Sequence, residues 1–331
     1  MKRIITLFLA LALTLSLAAC AAPGEKADDG RLQIVATLFP YYDFARAIAG
    51  GRADVTLLLS PGREAHSFEP TPLDAVTISE ADVFLYNGGE GEYWVEEMLD
   101  AAGEHIAVKA RMMDYVDALG EEFSEGMQGA DEHDHDHDHS DHDHDDGEEH
   151  DSDEIEYDEH IWTSPKNAAI LCRAVCEAIC KADPANEDFY RANCDDYCAQ
   201  IEALDARFSD LCESAPRKLL IFADRFPMLY FCREYGLDYR AAFHGCSGDT
   251  EPSLATIKFL IDKVEDENIP VVYTIDFGTK KVAAVVSECT GAAIETIYSM
   301  QTVSRADFDA GETYLTLMER NFEALRKGLN E

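Results

Sequence analysis

Short apolar runs alternate with longer amphipathic stretches along most of the chain. Residues 32–38 read as a buried strand. Pro40 can then open a helix over residues 42–49, which Gly50-Gly51 stops. Residues 55–59 form a second strand ending at Ser60-Pro61-Gly62, followed by a turn-rich loop over residues 63–72. A helix from about Leu73 leads to a strand at 83–86, and Asn87-Gly88-Gly89 turns into a helix holding Trp94 and Met98; residues 106–108 are the expected fourth strand. Helical periodicity runs over residues 166–212, with a break at Asp183-Pro184. The alternation then resumes: strands at 219–222, 239–243, 271–275 and 294–298, and helices at 228–235, 252–267, 279–289 and 310–329. Strand–helix alternation of this kind builds a parallel sheet with helices packed on it. The expected fold is therefore α/β: two parallel-sheet lobes, residues 31–165 and 214–331, joined by a long rigid helical segment over 166–213. A cleft between two such lobes is the expected place for a ligand, contacted by loops at the carboxyl ends of the strands.

One tract breaks the pattern. Within about 117–157, where disorder is expected, lies DEHDHDHDHSDHDHDDGEEH, in which His133, His135, His137, His139, His142, His144 and His150 alternate with carboxylates. No Lys or Arg occurs between Arg111 and Lys166. The tract has no apolar surface to bury, and its regular imidazoles point to weak gathering of divalent cations. An acidic linker accounts for the Asp but not for the regular His.

Charge adds to this picture. The net charge of −39 argues against nucleic acid and anionic membrane surfaces as partners, and suits a protein that handles cations. At the N-terminus, Lys2-Arg3 precedes a mostly apolar run to Ala19, which reads as an export signal over residues 1–19. Leu17-Ala18-Ala19-Cys20 resembles the bacterial lipobox, so Cys20 is expected to carry lipid at the head of a polar tether over 20–30. Beyond the signal, no run is long enough to span a bilayer. Of the nine later cysteines, Cys172, Cys176 and Cys180 recur at i, i+4 spacing, as do Cys194 and Cys198. They read as small buried residues and show no C-x2-C pairing of a structural zinc site.

Four residues stand where the alternation places a strand end or loop: His66, His160, Asp224 and Asp276. Two imidazoles with two carboxylates make a set suited to Zn or Mn.

Pro61-Gly62-Arg63-Glu64-Ala65-His66-Ser67-Phe68-Glu69-Pro70-Thr71-Pro72 resembles the first ligand loop of the metal-binding substrate-binding proteins of bacterial ABC transporters. The likeness is greatest to their zinc-uptake branch, which often carries a His-rich acidic loop. Asp158-Glu159-His160-Ile161-Trp162-Thr163-Ser164-Pro165 resembles that family's second ligand motif. Tyr230-Phe231-Cys232-Arg233-Glu234-Tyr235-Gly236-Leu237 is similar to the helix after its third ligand. Glu251-Pro252-Ser253 and the strand ending in Asp276 are similar to the stretch leading to its fourth. The resemblance implies a metal buried between two lobes, with His66 and His160 as ligands and Asp276 as the C-terminal-lobe carboxylate. At the third position the family usually has His or Glu, and ungapped comparison puts Arg225 there. Arg cannot bind a cation, so the neighbouring Asp224 is taken, with Arg225 expected to point away; His244 is the alternative.

The expected function is capture of extracytoplasmic Zn(II) and its delivery to an ABC permease and its ATPase by a lipid-anchored monomer that catalyses no reaction. A manganese-binding homologue, a membrane-tethered metallohydrolase and a metal buffer or adhesin are the alternatives. Glu64 and Glu69 beside His66 are the candidate bases for the hydrolase.

Overall fold

The computed structural model describes residues 30–63, 65, 68–102, 105–128, 156–247 and 251–330. The export signal, Cys20, His66 and the seven histidines of the acidic tract lie outside the described residues.

Two four-stranded parallel sheets carry the fold. The first contains β1 (Leu32–Ala36), β2 (Ala53–Leu57), β3 (Val83–Tyr86) and β4 (Val108–Arg111) in the order β2-β1-β3-β4. Ile34 pairs with Val55 on one side and Val83 on the other. Ile34, Val35 and Ala36 are all buried, as expected of a strand covered on both faces. Helix α1 (Phe39–Ala49) carries Pro40 in its first turn and ends at Gly50, whose amide bonds Arg46 O in the left-handed conformation. Helix α2 (Pro72–Ser79) starts with a capping box between Thr71 and Asp74, and α3 (Trp94–Ala102) follows β3.

The second sheet repeats the scheme. It holds β5 (Leu219–Phe226), β6 (Asp238–His244), β7 (Val271–Ile275) and β8 (Ala293–Ile297) in the order β6-β5-β7-β8. Helices α6 (Leu229–Tyr235), α7 (Leu254–Asp266) and α8 (Lys281–Thr290) connect these strands. In each sheet the strand order reverses beside the first strand, between β1 and β3 and between β5 and β7. The carboxyl ends at such a switch point open a crevice where open α/β sheets take ligands.

The two-lobed parallel plan is as expected, with local differences. The fourth strand starts at Val108, whose partner is Val83, and not at residue 106. The helical connection is two helices: α4 (Pro165–Ala182) packs on β3 and β4, and α5 (Glu187–Ser214) folds back antiparallel to it. The turn at Pro184 forces this break, since Pro removes a helix amide. Helix α5 then reaches the second lobe, where Phe208 meets Phe231 of α6 at 4.9 Å. The expected terminal helix is α10 (Tyr314–Asn330), which starts four residues late because a short helix, α9 (Arg305–Ala310), precedes it and ends at Gly311. Buried Asp43 of α1 ties these parts together, accepting the Tyr197 hydroxyl at 2.5 Å and the Tyr314 amide at 2.9 Å.

Residues 117–128, expected to open a disordered loop, are instead docked on the second lobe. The Leu119 amide bonds the Tyr230 hydroxyl at 3.0 Å, the Gln128 amide bonds Ala242 O at 3.0 Å, and the Phe123 ring lies 5.1 Å from that of His244. Apolar Leu119, Phe123 and Met127 let this strap bury surface that the acidic tract lacks.

Candidate metal site at the junction of the lobes

His160 lies just before α4 and is 2% exposed, a burial that only a fixed partner makes tolerable for a titratable ring. Asp158 supplies that partner: its Oδ1 accepts the His160 amide at 2.7 Å and lies 3.2 Å from Nδ1. An imidazole held through Nδ1 by a carboxylate ligates through Nε2, the usual arrangement behind a metal-bound histidine. The surrounding backbone is pinned to both lobes. Asn87, at the end of β3, donates to Glu159 O at 3.1 Å, and the Glu159 carboxylate accepts the Gly91 amide at 2.7 Å. From the second lobe, the Tyr230 hydroxyl donates to Asp158 O at 2.8 Å, and Trp162 Nε1 donates to Ser299 O at 2.7 Å. Burial opposes a charged ring at His160, but Asp158 and Glu159 outweigh it and hold the imidazole above its ordinary value.

His160 lines a small cavity of about 20 Å³ with Gly245, Ile275, Phe277 and Gln301, room for a single ion or water. Gly245 belongs there for steric reasons, since a Cβ would stand 2.8 Å from Phe226 O and 3.1 Å from His160 Nδ1.

Asp224 and Asp276 stand at the carboxyl edge of the second sheet, both half-buried. Asp276 directly follows β7; its amide bonds Ile297 O at 3.1 Å and its Oδ1 accepts the Ser299 amide at 3.3 Å. Its neighbours Ile275 and Phe277 both line the His160 cavity. Asp224 lies within β5 and not after it, because that strand runs on to Phe226 through a register shift between Phe222 and Arg225. Its carboxylate accepts the Arg225 amide at 2.9 Å and the Ile275 amide at 3.3 Å. Burial raises the Asp224 carboxyl, against those two hydrogen bonds.

The register shift falls beside Arg225. Arg225 is among the residues that line the cavity with His160, and its guanidinium donates to Ser247 O at 3.5 Å. His244, the alternative third ligand, is ion-paired through Nδ1 to Glu121 of the strap. Burial works against the Glu121 carboxylate, but His244 and the Cys246 amide outweigh it and hold the group below its ordinary value.

His66 lies outside the described residues; its neighbours Ala65 and Phe68 are buried, with the Phe68 ring 5.3 Å from that of Trp94. Neither Asp224 nor Asp276 is among the residues that line the cavity with His160, and among the described residues the three do not form one coordination sphere. The group there whose ligand atoms do converge is Cys172, Cys194 and Cys198 in the helical hairpin. Sequence reasoning missed Asp158 and Tyr230, which position His160. Only the Asp-x-His spacing of Asp158 hinted at its role.

The family described as zinc-uptake complex component A, periplasmic, matches residues 34–328. The high-affinity zinc uptake system protein ZnuA of Bacillus subtilis (strain 168) is 32% identical over 327 residues, covering 98% of this chain and 97% of that one. The zinc-binding lipoprotein AdcA of Streptococcus pneumoniae is 29% identical over 328 residues; the match covers 99% of this chain but 61% of the longer relative. Among solved structures, the metal-dependent lipoprotein YcdH of Bacillus subtilis aligns with a TM-score of 0.72 at 28% identity, covering 90% of this chain and all of that one. The Zn(II)-bound ZnuA-like domain of Streptococcus pneumoniae AdcA aligns at 0.71 and 25% identity, covering 91% of this chain and 100% of that one.

Proposed function

The chain belongs to the family of periplasmic zinc-uptake components, and from that premise we propose that it captures Zn(II) outside the cytoplasm and hands it to an ABC permease. Zinc is cargo here and not a catalytic cofactor: the family is that of a transport component, so the chain is not an enzyme. The relatives' names favour zinc over manganese.

The observation that carries the reading is the placement of His160. It is buried where both lobes meet, tied through Nδ1 to Asp158, and faces a cavity the size of one ion. In this reading His160 ligates Zn(II) through Nε2, and Asp276 and Asp224 supply carboxylates from the facing sheet edge. His66 completes the set on the strength of its motif alone. Two carboxylates and two neutral imidazoles balance the charge of a divalent ion, which favours its burial. Arg225 opposes binding by its charge, and that repulsion assists release to the permease.

The mature protein is proposed to begin at Cys20 and to be held as a monomer by a lipid there. The Leu17-Ala18-Ala19-Cys20 motif supports this, as does the name lipoprotein given to AdcA. The His-rich tract is proposed to gather cations weakly. Zinc-limited growth of cells lacking the chain tests the transport reading. The intact gene is expected to restore growth and His160→Ala to fail at equal protein level; restoration by the variant would overturn the assignment.

A further inference from the structure

The helical hairpin carries a second set of metal-binding atoms far from the cleft chemistry. Helix α4 presents Cys172, Cys176 and Cys180 on one face, and α5 presents Cys194 and Cys198 on the face opposite. All five are at most 5% exposed. Because the helices run antiparallel, the i, i+4 pair of α5 meets the stripe of α4 at Cys172. The thiol sulfurs of Cys172, Cys194 and Cys198 all lie within 4.8 Å of one another. Cys194 Sγ lies 3.9 Å from Cys198 Sγ and donates to Cys172 O at 3.9 Å.

We propose that Cys172, Cys194 and Cys198, completed by Cys176, form a buried site for a thiophilic d10 cation, Zn(II) or Cu(I), distinct from the cargo site in the cleft.

Buried cysteines commonly act only as small apolar residues. Several observations set these apart. The first is convergence. A tetrahedral zinc–thiolate site with Zn–S of about 2.3 Å has sulfurs about 3.8 Å apart, and Cys194 and Cys198 stand at 3.9 Å. An ion can therefore enter with little movement of either helix. The second is ligand spacing: two ligands at i, i+4 on one helix share a face, leaving the opposite helix to supply the others. The third is charge. Four thiolates around a divalent ion leave two net negative charges, and the Arg173 guanidinium, which acts on both Cys194 and Cys198, offsets one of them. Arg173 is anchored by Glu202 of α5 and by Ala169 O, so it stays beside the site. An ion here would clamp α4, which packs on the first sheet, to α5, which reaches the second lobe.

The probe is Co(II), whose thiolate complexes give an intense charge-transfer band that nitrogen and oxygen ligands do not. The reduced full chain, refolded with excess Co(II), is expected to show this band at the intensity of one thiolate-bound ion per chain. Cys194→Ser is expected to remove it, while Cys246→Ser and Cys289→Ser keep it. Absence of the band in the parent chain, or its persistence in Cys194→Ser, would overturn the site. Should Cys194→Ser fail to fold, X-ray absorption of the zinc-loaded and copper(I)-loaded parent chain decides and separates the two ions. A sulfur shell at about 2.3 Å is expected; nitrogen and oxygen scatterers alone, or a Cys172–Cys194 disulfide in the protein as purified, would contradict the proposal.

Discussion

At the scale of single residues, the site is governed by groups that position or oppose the ligands. Removing the carboxylate that orients a ligating histidine typically costs 10–100-fold in metal affinity. Asp158→Asn is therefore expected to weaken Zn(II) binding by about that factor, and His160→Ala by more, in calorimetric titrations. Equal affinities for Asp158→Asn and the parent would show that Asp158 is only a structural partner. Arg225 works in the other direction. A unit charge a few ångströms from the ion in a partly solvated cleft is worth about 1–3 kcal/mol, so Arg225→Ala is expected to tighten Zn(II) binding by roughly tenfold or more. Glu92 gives a stability test. Its fully buried carboxyl is pushed up to about 7 from an ordinary 4.5, chiefly by burial, although it accepts the Gly88 amide at 2.8 Å. A carboxyl raised in the fold disfavours folding once ionised. The penalty is absent below about pH 4.5, grows through the interval, and levels off above pH 7 at about 3 kcal/mol. Glu92→Gln is expected to raise the Tm at pH 8 and leave it nearly unchanged at pH 4.5. An equal rise at both would mean that the carboxyl is not the cause.

At the scale of elements, the alternation of strands and helices was legible because buried parallel strands such as VFLY at 83–86 and VVYTI at 271–275 are short apolar runs bounded by turn residues. Glycine stops were equally plain at Gly50 and Gly236, both left-handed helix caps. What stayed hidden depends on pairing across long separations. The register shift in β5 arises in its pairing with β6, so it leaves no local signal. The docking of residues 117–128 likewise rests on partners more than 100 residues away. The positions of His160 and Asp276 could be read from motif and strand end, and Asp158 from its spacing to His160, whereas Tyr230 acts through backbone contacts that only the fold creates. Tyr230 tests this layer: its hydroxyl bridges Leu119 N–H and Asp158 O. Tyr230→Phe leaves both backbone groups without that bond, at about 1–3 kcal/mol for a buried polar group. A lower urea midpoint by that amount, together with weaker Zn(II) binding, is the expected result.

At the scale of the whole molecule, two sheets of the same strand order face a shared crevice, and a cation captured there must compete with protons. Asp158 and Glu159 hold His160 above 6.5 despite its burial, so protonation begins to displace the ion above that pH. Zn(II) affinity is expected to fall progressively from pH 7.5 to pH 5.5; a flat profile would point to ligation by carboxylates alone. The most direct test of capture at the lobe junction is a Zn(II) titration of the Cys194→Ser chain lacking residues 131–150, with and without His160→Ala. The account predicts that the deletion removes several weak sites and leaves one tight site, which His160→Ala then abolishes. Loss of the tight site on deletion of the tract alone, or its survival in the His160→Ala chain, would contradict it.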